Sequence, residues 1–170
     1  WRRLVDNIIN NVDKDVVKPF VHNFFVNSVT IGGARQREVN DTEGCNCPWA
    51  ILMDPTTRCN LHCNGCWAAN YTNANHKDLT FEELDSIITQ GKDLGTYIYL
   101  FTGGEPMVRK NDLIRLCEKH PDCFFSAFTN GTLVDEKFAD EMLRVKNFMP
   151  AFSIEGFEGA TDSRRGNGTF

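Results

Sequence analysis

Three cysteines fall in one short run, Cys59-Asn60-Leu61-His62-Cys63-Asn64-Gly65-Cys66. The spacing is Cys-x3-Cys-x2-Cys, and no fourth cysteine follows at a similar short interval. Thiolate is the usual protein ligand of iron–sulfur clusters. Three thiolates on one tight loop can hold three irons of a cubic four-iron cluster and leave the fourth iron open. An open coordination position separates a reactive metal site from a closed structural one. Two other readings use the same residues. A zinc knuckle would recruit His62 or His76 as its fourth ligand. A thiol–disulfide pair would use Cys63 and Cys66 alone and leave Cys59 without a task. The zinc reading leaves a second motif unexplained, Gly103-Gly104-Glu105-Pro106. Adjacent glycines let a backbone approach a ligand closely and take torsions that a side chain forbids. The carboxylate beside them can accept hydrogen bonds from an ammonium group.

The elements that must position these motifs follow from hydrophobic patterning. Short apolar runs at residues 49–53, 97–101, 123–128 and 148–154 predict four strands, with Pro150 near the start of the last. Between them, Phe81, Leu84, Ile87, Ile88 and Leu94 recur at helical spacing behind a capping box at Thr80 and Glu83, and Gly95 ends that helix. Residues 111–119 predict a second helix, and Val134, Phe138, Met142 and Val145 a third. Strand alternating with helix predicts right-handed βαβ units, a parallel sheet and an α/β fold. The near-continuous apolar runs predict strands covered on both faces. Each polar motif directly follows a strand: the cysteines, then Gly103 to Pro106, then Thr129-Asn130-Gly131-Thr132, then Ser153 and Glu155. In parallel α/β architectures that rim is where ligands bind.

The N-terminal stretch reads as helical, with Leu4, Val5, Ile8 and Ile9 on one face. Val17, Phe20, Val21, Phe24 and Phe25 form another, with Asp13 as a cap and Pro19 as a kink point. Residues 32–44 are polar and read as loop. The division expected is residues 1–44 as helical segment and linker, and 45–170 as the start of the barrel core. Asp78, Glu82, Glu83 and Asp85 read as the wet face of a helix, not as paired catalytic carboxylates.

The cysteine run after a first strand and the Gly-Gly-Glu-Pro run after a second, in this order, resemble the radical S-adenosylmethionine (radical SAM) superfamily. The resemblance covers roughly residues 48–170, about the first two-thirds of that family's barrel. Ser153-Ile154-Glu155-Gly156, followed by Asp162, Arg164, Arg165 and Gly166, is similar to the fourth-strand region of the subgroup containing peptide-modifying maturases. The resemblance implies a partial (β/α) barrel, truncated after about four strands and preceded by N-terminal helices. It implies that Cys59, Cys63 and Cys66 ligate three irons of a 4Fe-4S cluster, and that the amine and carboxylate of S-adenosylmethionine chelate the fourth. Gly103, Gly104 and Glu105 would hold the methionyl ammonium. Ser153 and Arg165 would serve the ribose and the carboxylate, and Asn130 the cofactor wall. The implied chemistry is reductive homolysis of the cofactor's carbon–sulfur bond, giving a 5′-deoxyadenosyl radical that abstracts hydrogen from a substrate. Implied partners are an electron donor such as a flavodoxin or ferredoxin, and a peptide or small-molecule substrate. The rival is a zinc or iron–sulfur electron-transfer module with Cys47 or His76 as fourth ligand. The chain departs from the family at Gly65, where an aromatic residue often precedes the third cysteine. Trp67 follows that cysteine instead, as a wall for the adenine or as core.

Composition bounds these readings. A chain of 170 residues, 41% hydrophobic, suits one domain. Its net charge of −5 argues against a nucleic-acid partner. No apolar stretch is long enough for a membrane span. Lys18, His22, Asn23 and Asn27 interrupt the most apolar N-terminal stretch, residues 16–31, so it reads as packed helix rather than as a signal peptide. Seven cysteines, odd in number and clustered at ligand spacing, point to a reducing cytoplasm rather than a disulfide scaffold. Cys45 and Cys47 form a second metal site or are thiols near the barrel entrance, and Cys117 and Cys123 are small core residues. His62 tunes the cluster or is solvated. Arg164 and Arg165 can grip a carboxylate bidentately, or Arg164 is part of a solvated surface pair. There is no Rossmann or Walker A glycine pattern. The chain begins at Trp1 and stops at Phe170 where a further helix is expected to begin, so it reads as part of a longer protein.

Overall fold

The computed structural model describes residues 1–71 and 77–170, apart from the side chain of Leu4. His76 lies outside the described residues. Four strands, β1 (Ile51–Met53), β2 (Ile98–Phe101), β3 (Phe124–Thr129) and β4 (Phe148–Phe152), form one parallel sheet in chain order. Helices α4 (Phe81–Asp93), α5 (Lys110–Lys119) and α6 (Glu136–Val145) follow the first three strands. Strands laid side by side in chain order build a barrel wall, whereas a doubly wound sheet reverses its order midway. The fold is the expected partial barrel.

Register sets the core. Ile51, Tyr99, Phe125 and Phe148 align across the sheet, as do Met53, Phe101 and Ala127. This face meets Leu84 and Ile88 of α4, Leu113, Leu116 and Cys117 of α5, and Phe138 of α6. Phe101 and Phe125 stack at 5.8 Å. Thr80 and Glu83 form the predicted capping box of α4, so one element is fixed at its start by local chemistry and along its length by burial.

The opposite face corrects an expectation. Leu52, Phe128 and Met149 are 58%, 52% and 46% exposed. Helices α4 to α6 cover only the other side, so strands that read as doubly buried are covered on one face over much of their length. The amino end of the open face is closed by Phe20 and Phe24, packed edge-on against Phe124 at 5.2 and 6.0 Å.

Those phenylalanines belong to an N-terminal helical run. Helix α1 (Arg2–Asn11) precedes α2 (Lys14–Val21), which holds Pro19 and is capped by Asp13 accepting from the Asp15 N–H at 2.8 Å. The chain continues through wider π-helical turns, His22–Gly32, into α3 (Gly33–Glu43). Asn23 and Asn27 are buried and donate to the carbonyls of Pro121, Cys123 and Asp122, each at 2.9 Å. Helix α3 overturns the reading of residues 32–44 as loop. Only Val39 is buried on it, so it shows no apolar period. It is held instead by polar side chains, Arg35 donating to Asp93 O and Gln36 to Gly95 O. A seventh helix, α7 (Glu158–Arg165), was not expected either. It has no apolar stripe, and Asp162 stabilises its exit by accepting from the N–H groups of Gly168, Thr169 and Phe170. Among the described residues no helix is long and apolar enough to cross a membrane.

Candidate active site

The cysteine run hangs between β1 and α4, and polar ties fix it on several sides. Asp78 anchors its approach: the carboxylate accepts from Thr56 Oγ1 at 2.8 Å, Thr57 N at 3.2 Å and Arg58 Nη2 at 3.1 Å. Burial alone would raise the Asp78 carboxyl, but these bonds outweigh it and hold it below the usual range. Asp78 is thus an anchor ahead of α4, not part of a helix's wet face. Asp85 is likewise engaged, with Lys119 at 2.7 Å and the buried His120 at 2.9 Å. Arg109, only 10% exposed, spans both ends of the segment by donating to the carbonyls of Pro55 and Leu79.

The Gly-Gly-Glu motif presses on this segment from β2. Thr102, Gly104 and Glu105 donate their N–H groups to the carbonyls of Met53, Thr56 and Arg58, at 2.9, 3.0 and 2.8 Å. A Cβ on Gly104 would lie 2.2 Å from Arg58 O, and Gly103 has φ +103° with Thr56 O 2.7 Å from its would-be Cβ. The glycines therefore admit the backbone of the cysteine segment itself, one residue before Cys59. Glu105 is 2% exposed and its carboxylate is engaged internally. Oε1 accepts from Met107 N at 2.9 Å and Thr129 Oγ1 at 2.6 Å, and Oε2 accepts from Asn130 N at 2.8 Å. Glu105 thus braces the rim between the ends of β2 and β3.

Two asparagines inside the cysteine run complete the frame, and neither was picked out from sequence. Asn60 donates to Thr132 Oγ1 at 2.7 Å and accepts from Asn130 Nδ2 at 2.9 Å. Asn64 reaches α7, its N–H on Arg164 O at 2.7 Å and its amide on Ser163 O at 3.0 Å. The readable signal was the residue type. Asparagine carries both donor and acceptor and pairs readily with loop backbone. Partners some seventy to one hundred residues away were not visible.

All the residues expected at the site line one cleft of about 220 Å³: Cys59, Cys63, Cys66, Gly103, Gly104, Glu105, Asn130, Ser153 and Arg165. Burial pushes the Cys59 thiol up, partly offset by the Leu61 N–H at 3.5 Å from its sulfur. Arg165 donates to Glu155 Oε1 at 2.5 Å, and its buried Nε lacks a hydrogen-bond partner. Arg164 holds the other Glu155 oxygen at 2.7 Å, so both arginines grip a carboxylate of the chain itself. Trp67 lines the cleft and is 67% exposed, which removes the core-packing reading. The departure at Gly65 has a backbone cause. Its φ is +68°, a region where an aromatic residue would be strained. His62 and Cys45 are exposed, Cys47 is half-buried, and Cys117 and Cys123 are buried as expected. Among the described residues no three His, Cys, Asp or Glu side chains are grouped to hold a metal ion. A mononuclear ion needs its ligands around one point, while a four-iron cluster takes one thiolate per iron.

Known proteins share parts of this sequence and of this fold. The Fe-coproporphyrin III synthase of Methanosarcina barkeri is 33% identical over 120 residues, 68% of this chain and 29% of that protein. The PqqA peptide cyclase of Bradyrhizobium diazoefficiens is 28% identical over 126 residues, 73% of this chain and 32% of that protein. The chain thus spans about a third of the length of these curated relatives. The fold matches Streptococcus suis SuiB bound to S-adenosylmethionine, with TM-score 0.62 and 19% identity, over 82% of this chain and 33% of that one. The model of the radical SAM superfamily matches residues 53–170. This chain belongs to the radical SAM superfamily.

Proposed function

We propose that this chain carries the cofactor-binding part of a radical SAM enzyme, with Cys59, Cys63 and Cys66 as ligands of a 4Fe-4S cluster. Family membership brings S-adenosylmethionine and an iron–sulfur cluster in general terms. The observation that carries the finer reading is the meeting of the three thiols, the Gly-Gly-Glu turn, Ser153 and Arg165 on one cleft. When bound, the cluster and S-adenosylmethionine supply a 5′-deoxyadenosyl radical that abstracts hydrogen from the substrate.

The chain's own residues hold these groups in place. Cys59, Cys63 and Cys66 would hold the cluster by three thiolates and would leave one iron for the amine and carboxylate of S-adenosylmethionine. Gly103 and Gly104 lay backbone along the cleft while clamping the cysteine segment. Glu105 acts first as a brace, because three donors already engage its oxygens. Arg165 suits the cofactor's carboxylate through its unpartnered buried Nε. Ser153 serves the ribose, Asn130 the wall and Trp67 the adenine edge. The substrate, peptide or small molecule, would meet the open sheet face above the cleft. A flavodoxin- or ferredoxin-type donor would supply the electron, in a reducing cytoplasm.

The test is cofactor cleavage. The intact protein, loaded anaerobically with iron and sulfide and reduced with dithionite, should convert S-adenosylmethionine to 5′-deoxyadenosine. Cys59→Ala should abolish the conversion. A fully iron-loaded protein that yields no 5′-deoxyadenosine would overturn the proposal.

A further inference from the structure

The turn between Cys63 and Cys66 is joined to the end of α7. Carbonyls in a helix's last turn have no partner within the helix. In α7 those of Ser163 and Arg164 accept from the Asn64 side chain at 3.0 Å and the Asn64 N–H at 2.7 Å. Arg164 returns a bond, Nε to Asn64 O at 3.3 Å, while its Nη1 is held on Glu155 at 2.7 Å. Glu155 follows β4 and also grips Arg165, so the link runs from the sheet through α7 into the cysteine loop. On the opposite side Asn60 ties the loop to Asn130 and Thr132.

We infer that Asn64 and Arg164 are positioning residues that set the Cys63–Cys66 turn relative to Cys59. The inference rests on the reading of these cysteines as cluster ligands. Neither residue ligates the cluster; both act through the loop backbone. Cys59 is held by the Asn60 tie and by Glu105 N on Arg58 O. Cys63 and Cys66 take their place from α7. Losing the α7 link therefore alters the spacing of the thiols, not merely the stability of the loop.

The test uses the intact protein, loaded anaerobically with iron and sulfide without S-adenosylmethionine. Iron retained against a chelator, the resonance spectrum of the reduced cluster and its midpoint potential are measured. In Asn64→Asp the side chain can no longer donate to Ser163 O. Cluster affinity should fall about 10- to 100-fold, the usual cost of losing an outer hydrogen-bond partner, with a changed resonance line shape. Arg164 is half exposed, so Arg164→Ala should fold even if Asn64→Asp does not, and should shift the same readouts. Arg164→Lys keeps a cation beside Glu155 but lacks Nε, and should not restore them. Wild-type iron retention, resonance and potential in Arg164→Ala, or full restoration by Arg164→Lys, would overturn the inference. If the unsubstituted protein takes up no four-iron cluster, the inference falls with the reading beneath it. A loaded wild type with unaffected variants sinks the inference alone.

Discussion

Glu105→Gln separates a brace from a ligand. The wild-type carboxylate is buried and accepts three hydrogen bonds, two on Oε1 and one on Oε2. Glutamine can keep its oxygen toward Met107 N and Thr129 Oγ1. Its NH2 then faces the Asn130 N–H, donor against donor, and that N–H loses its acceptor. Hydrogen bonds to a charged group contribute about 1.5–3 kcal/mol, and a stranded buried polar group costs about 1–3 kcal/mol. A net loss of about 2–3 kcal/mol lowers the unfolding midpoint by roughly 4–12 °C for a unit of this size. The assay is thermal unfolding of metal-free protein followed by circular dichroism, with no cofactor present. A residue whose side chain served only to hold the methionyl ammonium would leave that midpoint unchanged and weaken cofactor binding alone. A Glu105→Gln midpoint within about 1 °C of wild type, well under the effect of 1 kcal/mol, would refute the brace.

Further predictions follow the same geometry. Gly104→Ala drives a Cβ against the Arg58 carbonyl. It should cost about 1–3 kcal/mol and lower iron uptake, seen in denaturant unfolding and an iron assay. Arg109→Ala strands the carbonyls of Pro55 and Leu79, and should destabilise by about 2–4 kcal/mol in urea unfolding, more than any exposed arginine. Trp67→Ala should leave stability within about 0.5 kcal/mol, as for exposed positions, while weakening S-adenosylmethionine binding measured by calorimetry on the loaded protein. Burial holds His120 below its ordinary value of 6.5, against the opposing pull of Asp85. A lowered folded value means that the unfolded state binds the extra proton first. Stability should therefore be full above pH 6.5 and fall as pH drops through the folded value. His120→Gln should flatten that slope in unfolding measured across this range.

The alternation of strands and helices was legible because burial leaves a period in sequence, as in Phe81 to Leu94 and in the runs around Tyr99 and Phe125. The rim motifs were legible because parallel βα units put loops at the carboxyl ends of strands. Helix α3 was not legible, since its contacts are made by Arg35 and Gln36 with backbone carbonyls and only Val39 is buried. Helix α7 failed for the same reason. The roles within the motifs were less legible than their membership. Two glycines imply a close approach, but only the fold shows that Gly104 approaches Arg58. A carboxylate beside them implies a partner, but only the fold supplies Thr129 and Asn130 for Glu105. The open sheet face was missed because an apolar strand reads alike whether its second face meets a helix or solvent.

The central claim is a cluster held by Cys59, Cys63 and Cys66 alone, with one iron left for S-adenosylmethionine. The most direct measurement is electron paramagnetic resonance of the intact, reduced and iron-loaded protein, with and without S-adenosylmethionine. The account predicts a four-iron signal whose g-values shift when the cofactor is added, and which disappears when all three cysteines are replaced by alanine. A signal indifferent to the cofactor, or one that survives the triple replacement, would contradict it.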